Sequence, residues 1–298
     1  MYDLIIIGGG PAGLSAAVYA ARYKINSAII APVWGGFVND AHLVENWLGE
    51  KSITGRELAQ RFIGHVESLN IPMITANVRM IVKTKDGFEV FTPDQKYEAK
   101  KIILASGTER NKLEVRGEDK FLGKGVSYCT TCDGFFFRGK TVAVIGSGDS
   151  ACTGATLLAD LAKKVYLIYR SSKLKAEPIW IDKIKKAKNV ECLPDKKLKE
   201  IVGQKIVEKI ILADGETIKV DGVFIETGST PLSFLIERLG LKADEKGYVI
   251  TNVNQKTNIN GVYAAGDITT NSSQFKQMIV AASEGAVAAY NAYIDLKS

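Results

Sequence analysis

The chain has 298 residues, 46% of them hydrophobic and 24% charged, which is the length of about two ordinary domains and the composition of a soluble globular protein with a substantial core. A net charge of +6 is mild, and between residues 163 and 199, where twelve Lys or Arg meet four Asp or Glu, aromatics do not interleave with the cations, which argues against nucleic acid as a partner. The uncharged run Leu4 to Ala21 is broken by Gly8-Gly9-Gly10-Pro11 and has no basic region ahead of it, which argues against a signal or membrane segment; with only four cysteines, a cytoplasmic setting is expected.

Tyr2 to Ile7 is an apolar, β-branched strand that runs into Gly8-Gly9-Gly10-Pro11-Ala12-Gly13 and then a helical stretch, Leu14 to Tyr23. Gly8 permits the tight turn, Gly10 lets the backbone approach a pyrophosphate, and Gly13 lets helix pack on strand. The unpaired N–H groups and positive dipole end of the helix then face the phosphates. The next strand, Ile25 to Ile30, ends in Ala31 and Pro32 rather than in the acid that binds ribose hydroxyls. Trp34-Gly35-Gly36-Phe37 and Val44-Glu45-Asn46-Trp47 occupy a loop-rich region that reads as turns with packed aromatics. Arg56 to Leu69 is an amphipathic helix with His65 on its solvated side. Val78 to Val82, Phe88 to Phe91 and Lys101 to Ala105 are strands, with Asp86-Gly87 as a hairpin turn. Ser106-Gly107-Thr108 ends the last of them, and the first domain crossing falls in the polar connection after it.

Cys129-Thr130-Thr131-Cys132-Asp133-Gly134 follows. Two cysteines two residues apart can close a small, reducible disulfide, and the Asp133 carboxylate beside them can exchange protons with a thiol. The same spacing serves as half of a zinc site, but Cys152 and Cys192 are isolated and His42 and His65 lie far upstream, so no metal is expected.

A second copy of the opening motif comes next: strand Thr141 to Ile145, turn Gly146-Ser147-Gly148-Asp149-Ser150-Ala151, helix to Leu161. Alanine for the third glycine is an accepted variant. Two such fingerprints, 138 residues apart, describe two dinucleotide-binding domains and, most simply, electron transfer between two dinucleotides. The strand Val165 to Ile168 leads to Tyr169-Arg170-Ser171-Ser172-Lys173-Leu174-Lys175, where cations replace the acid that would favour NAD, so NADP is favoured. Strands at Val190 to Leu193, Glu208 to Leu212 and Val223 to Glu226 complete the unit, with Asp214-Gly215 as a turn. After Gly228-Ser229-Thr230-Pro231 the chain returns to the first domain near residues 236 to 240. Strand Gly261 to Ala265, then Gly266-Asp267 and a helix from about Gln274 to Tyr293, close the chain. Asp267 can accept hydrogen bonds from a polyhydroxy chain, and the helix start suits the N1/O2 edge of a reduced flavin.

Together these motifs closely resemble the low-molecular-weight, FAD-containing thioredoxin reductases over nearly the whole chain, and the Cys-x-x-Cys-Asp-Gly box between two fingerprints is the most specific of them. The resemblance implies an α/β fold of two Rossmann-like domains of the three-layer ββα type, the second inserted into the first: an FAD domain, 1–112 and 237–298, around an NAD(P) domain, 113–236. It implies that Cys132 lies next to the flavin, that Cys129 attacks the partner disulfide, and that Asp133 donates or accepts the proton. FAD is placed along Gly8, Gly10, Pro11, Ala12, Gly13, Gly35, Gly36, Phe37, Asn46 and Val78, with Ser106, Gly107, Gly266, Asp267, Lys276 and Gln277. NADP is placed at Gly146, Gly148, Asp149, Ser150, Arg170 and Lys175. The implied partner is a thioredoxin, or a thioredoxin-like or glutaredoxin-like protein, and the implied assembly a homodimer. Because Cys132 is only 14 residues before Gly146, disulfide and nicotinamide share a domain yet must both reach one flavin, so the second domain is expected to rotate about the two crossings.

The chain departs from the family where Phe37 stands for the usual Gln, where Lys276 stands for Arg or His, and where the His-Arg-Arg motif for the 2′-phosphate reads Tyr169-Arg170-Ser171 with Lys175. A lysine lacks the bidentate fork of arginine, which leaves NADH, or a different electron donor, open. Two other functions remain: a flavin-dependent NAD(P)H oxidase indifferent to loss of Cys132, and a flavin redox sensor that docks a partner without turnover. Ferredoxin–NADP reductases of the same architecture normally lack the cysteine pair and rank lower.

Overall fold

The computed structural model describes residues 1–231, 233–272 and 275–297. Its chain forms two units, one of Met1–Asn39, Val44–Glu109 and Thr230–Ser298, the other of Asp40–Leu43 and Arg110–Ser229. In chain order the first contributes β1 (Tyr2–Gly9), α1 (Pro11–Arg22), β2 (Ser27–Trp34), α2 (Gly55–Glu67), β3 (Met73–Thr75), β4 (Met80–Lys83), β5 (Phe88–Phe91) and β6 (Lys96–Leu104). Strand β7 (Thr108–Arg110) leads out of it. The second unit contains α3 (Glu118–Phe121), β8 (Val126–Ser127), α4 (Thr130–Asp133), β9 (Thr141–Ile145), α5 (Asp149–Leu161), β10 (Lys164–Ile168), α6 (Pro178–Lys186), β11 (Val190–Leu193), β12 (Leu198–Val202), β13 (Lys209–Leu212), β14 (Thr217–Lys219) and β15 (Gly222–Ile225). The chain leaves through β16 (Ser229–Pro231), which pairs with β7, and ends with α7 (Ser233–Leu239), β17 (Val262–Ala264) and α8 (Met278–Lys297).

Unit 1 is built on the parallel order β3-β2-β1-β6, with β17 beside β6 and the antiparallel β5 and β4 extending the sheet. Strand side chains point to alternate faces, and both faces of β1 are covered, which is why Leu4 to Ile7 is an unbroken apolar run rather than alternating. Leu4 and Ile6 join the helix-side core with Ala16, Ala17, Ala288 and Ala289; Ile5 and Ile7 join the opposite core with Phe88, Val90, Leu235 and Ile236. The helix side is closed by α1 against α8 at a small-residue contact: a Cβ on Gly285 would lie 2.0 Å from the Ala12 carbonyl oxygen. Strand β2 runs past the expected Ile30 to Trp34, because beyond an irregularity in the ladder it pairs with β1 again, Trp34 opposite Gly9. The last helix is α8; the expected start at Gln274 lies outside the described residues.

Unit 2 repeats the plan. Its parallel sheet has the order β11-β10-β9-β15-β8, and a separate antiparallel sheet, β12-β13-β14, covers one face. On β9, Val142 and Val144 pack with α5 and α6 through Leu158 and Trp180, while Ala143 and Ile145 pack with Ile201, Ile210 and Leu212 on the other face. No helix among the described residues is long and apolar enough to cross a membrane.

Candidate functional site

In unit 1 the carboxyl ends of β1, β2, β6 and β17 meet, and the residues singled out there converge. Gly8 has φ +122°, and a Cβ on it would lie 2.0 Å from the Ala105 carbonyl oxygen at the end of β6. A Cβ on Gly13 would lie 1.8 Å from the Gly8 carbonyl, so no side chain fits where α1 crosses β1. Gly10 is different: no heavy atom lies within 4 Å of a Cβ built there, and as the N-cap of α1, followed by Pro11, it supplies no side-chain cap. The first-turn N–H groups of α1 thus face open space beside a glycine, an arrangement suited to phosphate.

Three other segments frame that space. Gly35 donates its N–H to the Gly9 carbonyl at 2.8 Å, and the Cβ direction of Gly36 points at the Gly10 Cα, 3.2 Å away. Phe37 follows in a short 3-10 turn, 43% exposed. Ser106 keeps a buried hydroxyl with no protein partner, next to Gly107. A buried hydroxyl without a partner costs free energy unless a ligand atom satisfies it. Gly266 packs on Ala12, with a Cβ built on it 2.9 Å from the Ala12 methyl, which sets Asp267 at the end of β17. Burial raises the carboxyl of Asp267 above its ordinary range, opposed by Lys276 and reinforced by Glu284.

Glu284, in the middle of α8, is a buried acid that sequence reading missed. It accepts the Gly266 N–H at 2.7 Å, the Thr269 hydroxyl at 3.0 Å and the Ser272 hydroxyl at 2.8 Å, so it fixes the loop that carries Asp267. Asn46 Nδ2 donates to Gln277 Oε1 at 3.1 Å, joining two of the expected residues. Lys276 donates to the Tyr248 hydroxyl at 2.5 Å. Val78 packs at the edge of the core under the sheet.

In unit 2, Gly146 has φ +149° and meets the Glu226 carbonyl as Gly8 meets Ala105, at 2.2 Å from a built Cβ. Gly148 repeats Gly10: an uncapped N-cap with nothing within 4 Å of a Cβ. Asp149 and Ser150 open α5, and Asp149 accepts the Glu177 N–H at 2.7 Å. The Lys175 N–H donates to the Ser147 carbonyl at 2.7 Å, which brings the basic loop onto the fingerprint; Arg170 and Lys175 are exposed.

Cys129 and Cys132 are bonded to each other, with Cα atoms 5.3 Å apart, across the single turn of α4. That turn sits on α5, the helix that starts at the second fingerprint: a Cβ on Gly154 would meet the Thr130 side chain at 2.8 Å. Cys132 is exposed and Cys129 half-buried, and the Cys132 N–H donates to Cys129 Sγ at 3.1 Å. Asp133 closes the turn, its N–H donating to the Cys129 carbonyl at 3.2 Å. Asp40 and Arg110, neither singled out from sequence, stand beside the bridge. Arg110 donates to Asp40 at 2.6 Å and to Glu226 at 2.8 Å. Burial is the largest influence on Glu226 and pushes its carboxyl up to about 7, against the pull of Arg110 and of the Thr130 N–H. Burial alone would lower Arg110, but its two carboxylates together outweigh that and raise it. No local pattern announces these groups, since Asp40, Arg110 and Glu226 are far apart in the chain.

A family model described as pyridine nucleotide-disulphide oxidoreductase matches residues 2–285. The chain is 36% identical over 296 residues to the thioredoxin reductase of Bacillus subtilis (strain 168), an overlap of 97% of this chain and 93% of that one. Among solved structures it is similar to T. acidophilum thioredoxin reductase, with 41% identity, a TM-score of 0.94 and coverage of 100% and 99% of the two chains. It is also similar to Lactococcus lactis thioredoxin reductase, with 34% identity, a TM-score of 0.95 and coverage of 100% and 99%. With the bonded cysteine pair and the two fingerprints already in place, these matches show that the chain belongs to the pyridine nucleotide-disulphide oxidoreductases and, among them, to the thioredoxin reductases.

Proposed function

We propose that the protein reduces the disulfide of a thioredoxin or a thioredoxin-like or glutaredoxin-like protein, using a nicotinamide nucleotide, FAD and the Cys129–Cys132 bridge. The observation that carries this is the bonded pair seated on the helix that begins at Gly148, so that one unit holds a redox bridge and a nucleotide cradle. FAD suits unit 1: Gly8 to Gly13 and Gly36 for its phosphates, the Ser106 hydroxyl and Asp267 for its hydroxyl-bearing chain, and Asn46, Lys276 and Gln277 for the far end. NADPH suits unit 2, with Gly146, Gly148 and Ser150 at the pyrophosphate and Arg170 and Lys175 at the 2′-phosphate; no acid ends β10, which favours NADPH over NADH. Bound together, the two cofactors supply transfer of an electron pair as hydride.

What the chain's own residues do is separable from the cofactors. Opening the bridge takes two electrons, breaks the S–S bond and leaves two sulfurs that share one or two protons; Asp133 is placed in sequence to exchange one of them. A Cys129 thiolate then attacks the partner's disulfide to form a mixed disulfide, the partner's second sulfur leaves and takes a proton, and Cys132 displaces the first to restore the bridge. Phe135 and Phe136, 60% and 74% exposed directly after the turn, give a protein partner an apolar contact beside the sulfurs. A homodimer in the cytoplasm accords with this function.

Anaerobic mixing of the purified protein with NADPH and, separately, NADH tests it. Flavin absorbance should bleach faster with NADPH, and Cys132→Ser should abolish reduction of a thioredoxin disulfide while leaving the bleaching intact. Full turnover of oxygen by Cys132→Ser with no protein-disulfide reduction by the wild type would instead identify an oxidase.

A further inference from the structure

Asp40 belongs to the same unit as the cysteines, and its position there is built from three sides. Its backbone carbonyl accepts the Thr131 hydroxyl from within the cysteine turn at 2.6 Å. One carboxylate oxygen is held by Arg110 at 2.6 Å, and the other stands 3.8 Å from Cys129 Sγ. A carboxylate oxygen and both sulfurs lie within 4.8 Å of one another. Arg110 is itself anchored by Glu226, whose side chain is 5% exposed and which also accepts the N–H of Thr130, the first residue of the turn. The carboxylate is thus aimed at the sulfur by Arg110 at the end of β7, itself held by Glu226 after β15, and by the tie of its backbone carbonyl to α4.

We propose that Asp40 is the carboxylate that accepts the Cys129 S–H in the opened bridge, with Arg110 and Glu226 as the residues that position it. The inference rests on the redox role of Cys129–Cys132 and deepens it. The closed bridge carries no proton and is nearly indifferent to the charge. Once two electrons have broken the S–S bond, the Cys129 sulfur is either a thiol that donates to Asp40 or a thiolate facing a carboxylate. The carboxylate disfavours the thiolate, whereas the Cys132 N–H on the same sulfur favours it. Arg110 sets the balance by neutralising part of the Asp40 charge. The carboxylate, tempered by Arg110, thus holds the Cys129 thiol above where the Cys132 N–H alone would set it. A reduced form that is less stabilised as thiolate also makes the pair a stronger reductant, which suits a donor of electrons to another disulfide.

Two readouts that need neither flavin turnover nor a partner protein test this. In protein reduced with dithiothreitol, the rate of alkylation of Cys129 is followed against pH by peptide mass. Asp40→Asn should lower its midpoint by about one pH unit, since it removes the facing charge and leaves Arg110 less neutralised. In mixtures of reduced and oxidised dithiothreitol at pH 9, where thiolates dominate, Asp40→Asn should reach half-reduction at an about ten-fold lower ratio, equivalent to about 30 mV. Arg110→Met should move both quantities the other way, and Asp40→Glu should return them toward the wild type. If Asp40→Asn fails to fold, the sign of the Arg110→Met shift decides. A bridge that opens normally but whose midpoint and ratio stay put in these variants, or shift with the opposite sign, overturns the inference alone. A bridge that dithiothreitol cannot open overturns the redox reading beneath it.

Discussion

Glu226 is a titratable group whose surroundings alter the molecule's response near neutral pH. Its folded value of about 7 lies above the ordinary 4.5, because burial outweighs Arg110. A carboxyl with a raised folded value binds its proton more tightly when folded. Its contribution to stability is therefore fully present below pH 4.5 and is lost as the pH rises through about 7. Urea unfolding of wild type and Glu226→Gln between pH 5 and 8 should show the wild type losing about 1–3 kcal/mol relative to the variant. Parallel pH curves would show that the ion pair, not burial, governs this carboxyl. The fingerprint glycines are the other demanding positions. Gly8→Ala meets a backbone oxygen at 2.0 Å and also needs a positive φ, so it should cost more than about 3 kcal/mol and weaken FAD retention; Gly10→Ala, which meets nothing, should be folded normally and weaken FAD binding only. These glycines were legible in the sequence because their requirement is local: a turn and a close approach between neighbours. Glu284, Asp40 and Arg110 were not, since each acquires its role from partners brought in by the fold from distant segments.

Among the elements, the parallel strands were the most readable, since β1, β6 and β9 are covered on both faces and write that directly as runs of Ile, Val and Leu. Ends were read less well. Strand β2 continues to Trp34 because it pairs with β1 again at Gly9 beyond a shift in register, which its own sequence does not display. Helix α2 shows the opposite case, with a complete local signal: Thr54 accepts the Glu57 N–H and Glu57 reaches back to the Thr54 N–H at 3.3 Å in both directions, a capping box. Thr54→Ala should lower stability by about 1 kcal/mol in thermal unfolding, with little effect on cofactor content. The contact of α1 with α8 is more sensitive, because a Cβ on Gly285 would press on the Ala12 carbonyl, one residue from the glycine turn proposed to hold phosphate. Gly285→Val should therefore reduce FAD content as well as stability. Unchanged FAD stoichiometry in that variant would show that the cradle is insulated from helix packing.

At the scale of the molecule, two units share a parallel sheet with helices on one face and a glycine turn at the carboxyl end of the first strand; the antiparallel strands extend the sheet in the first unit and form a separate layer in the second. The duplication was visible from two fingerprints 138 residues apart, and the cysteine box between them named the chemistry. The assignment of residues 40–43 to the cysteine-bearing unit was not visible, because the segments on either side of them belong to the other unit. The central claim is that Cys129 and Cys132 form a bridge that a nicotinamide nucleotide charges with two electrons. It is tested most directly by counting alkylatable thiols per chain, before and after anaerobic addition of NADPH to the FAD-loaded protein. Two new thiols, mapped to Cys129 and Cys132, are the expected result; a bleached flavin with no new thiol at either position would contradict the account.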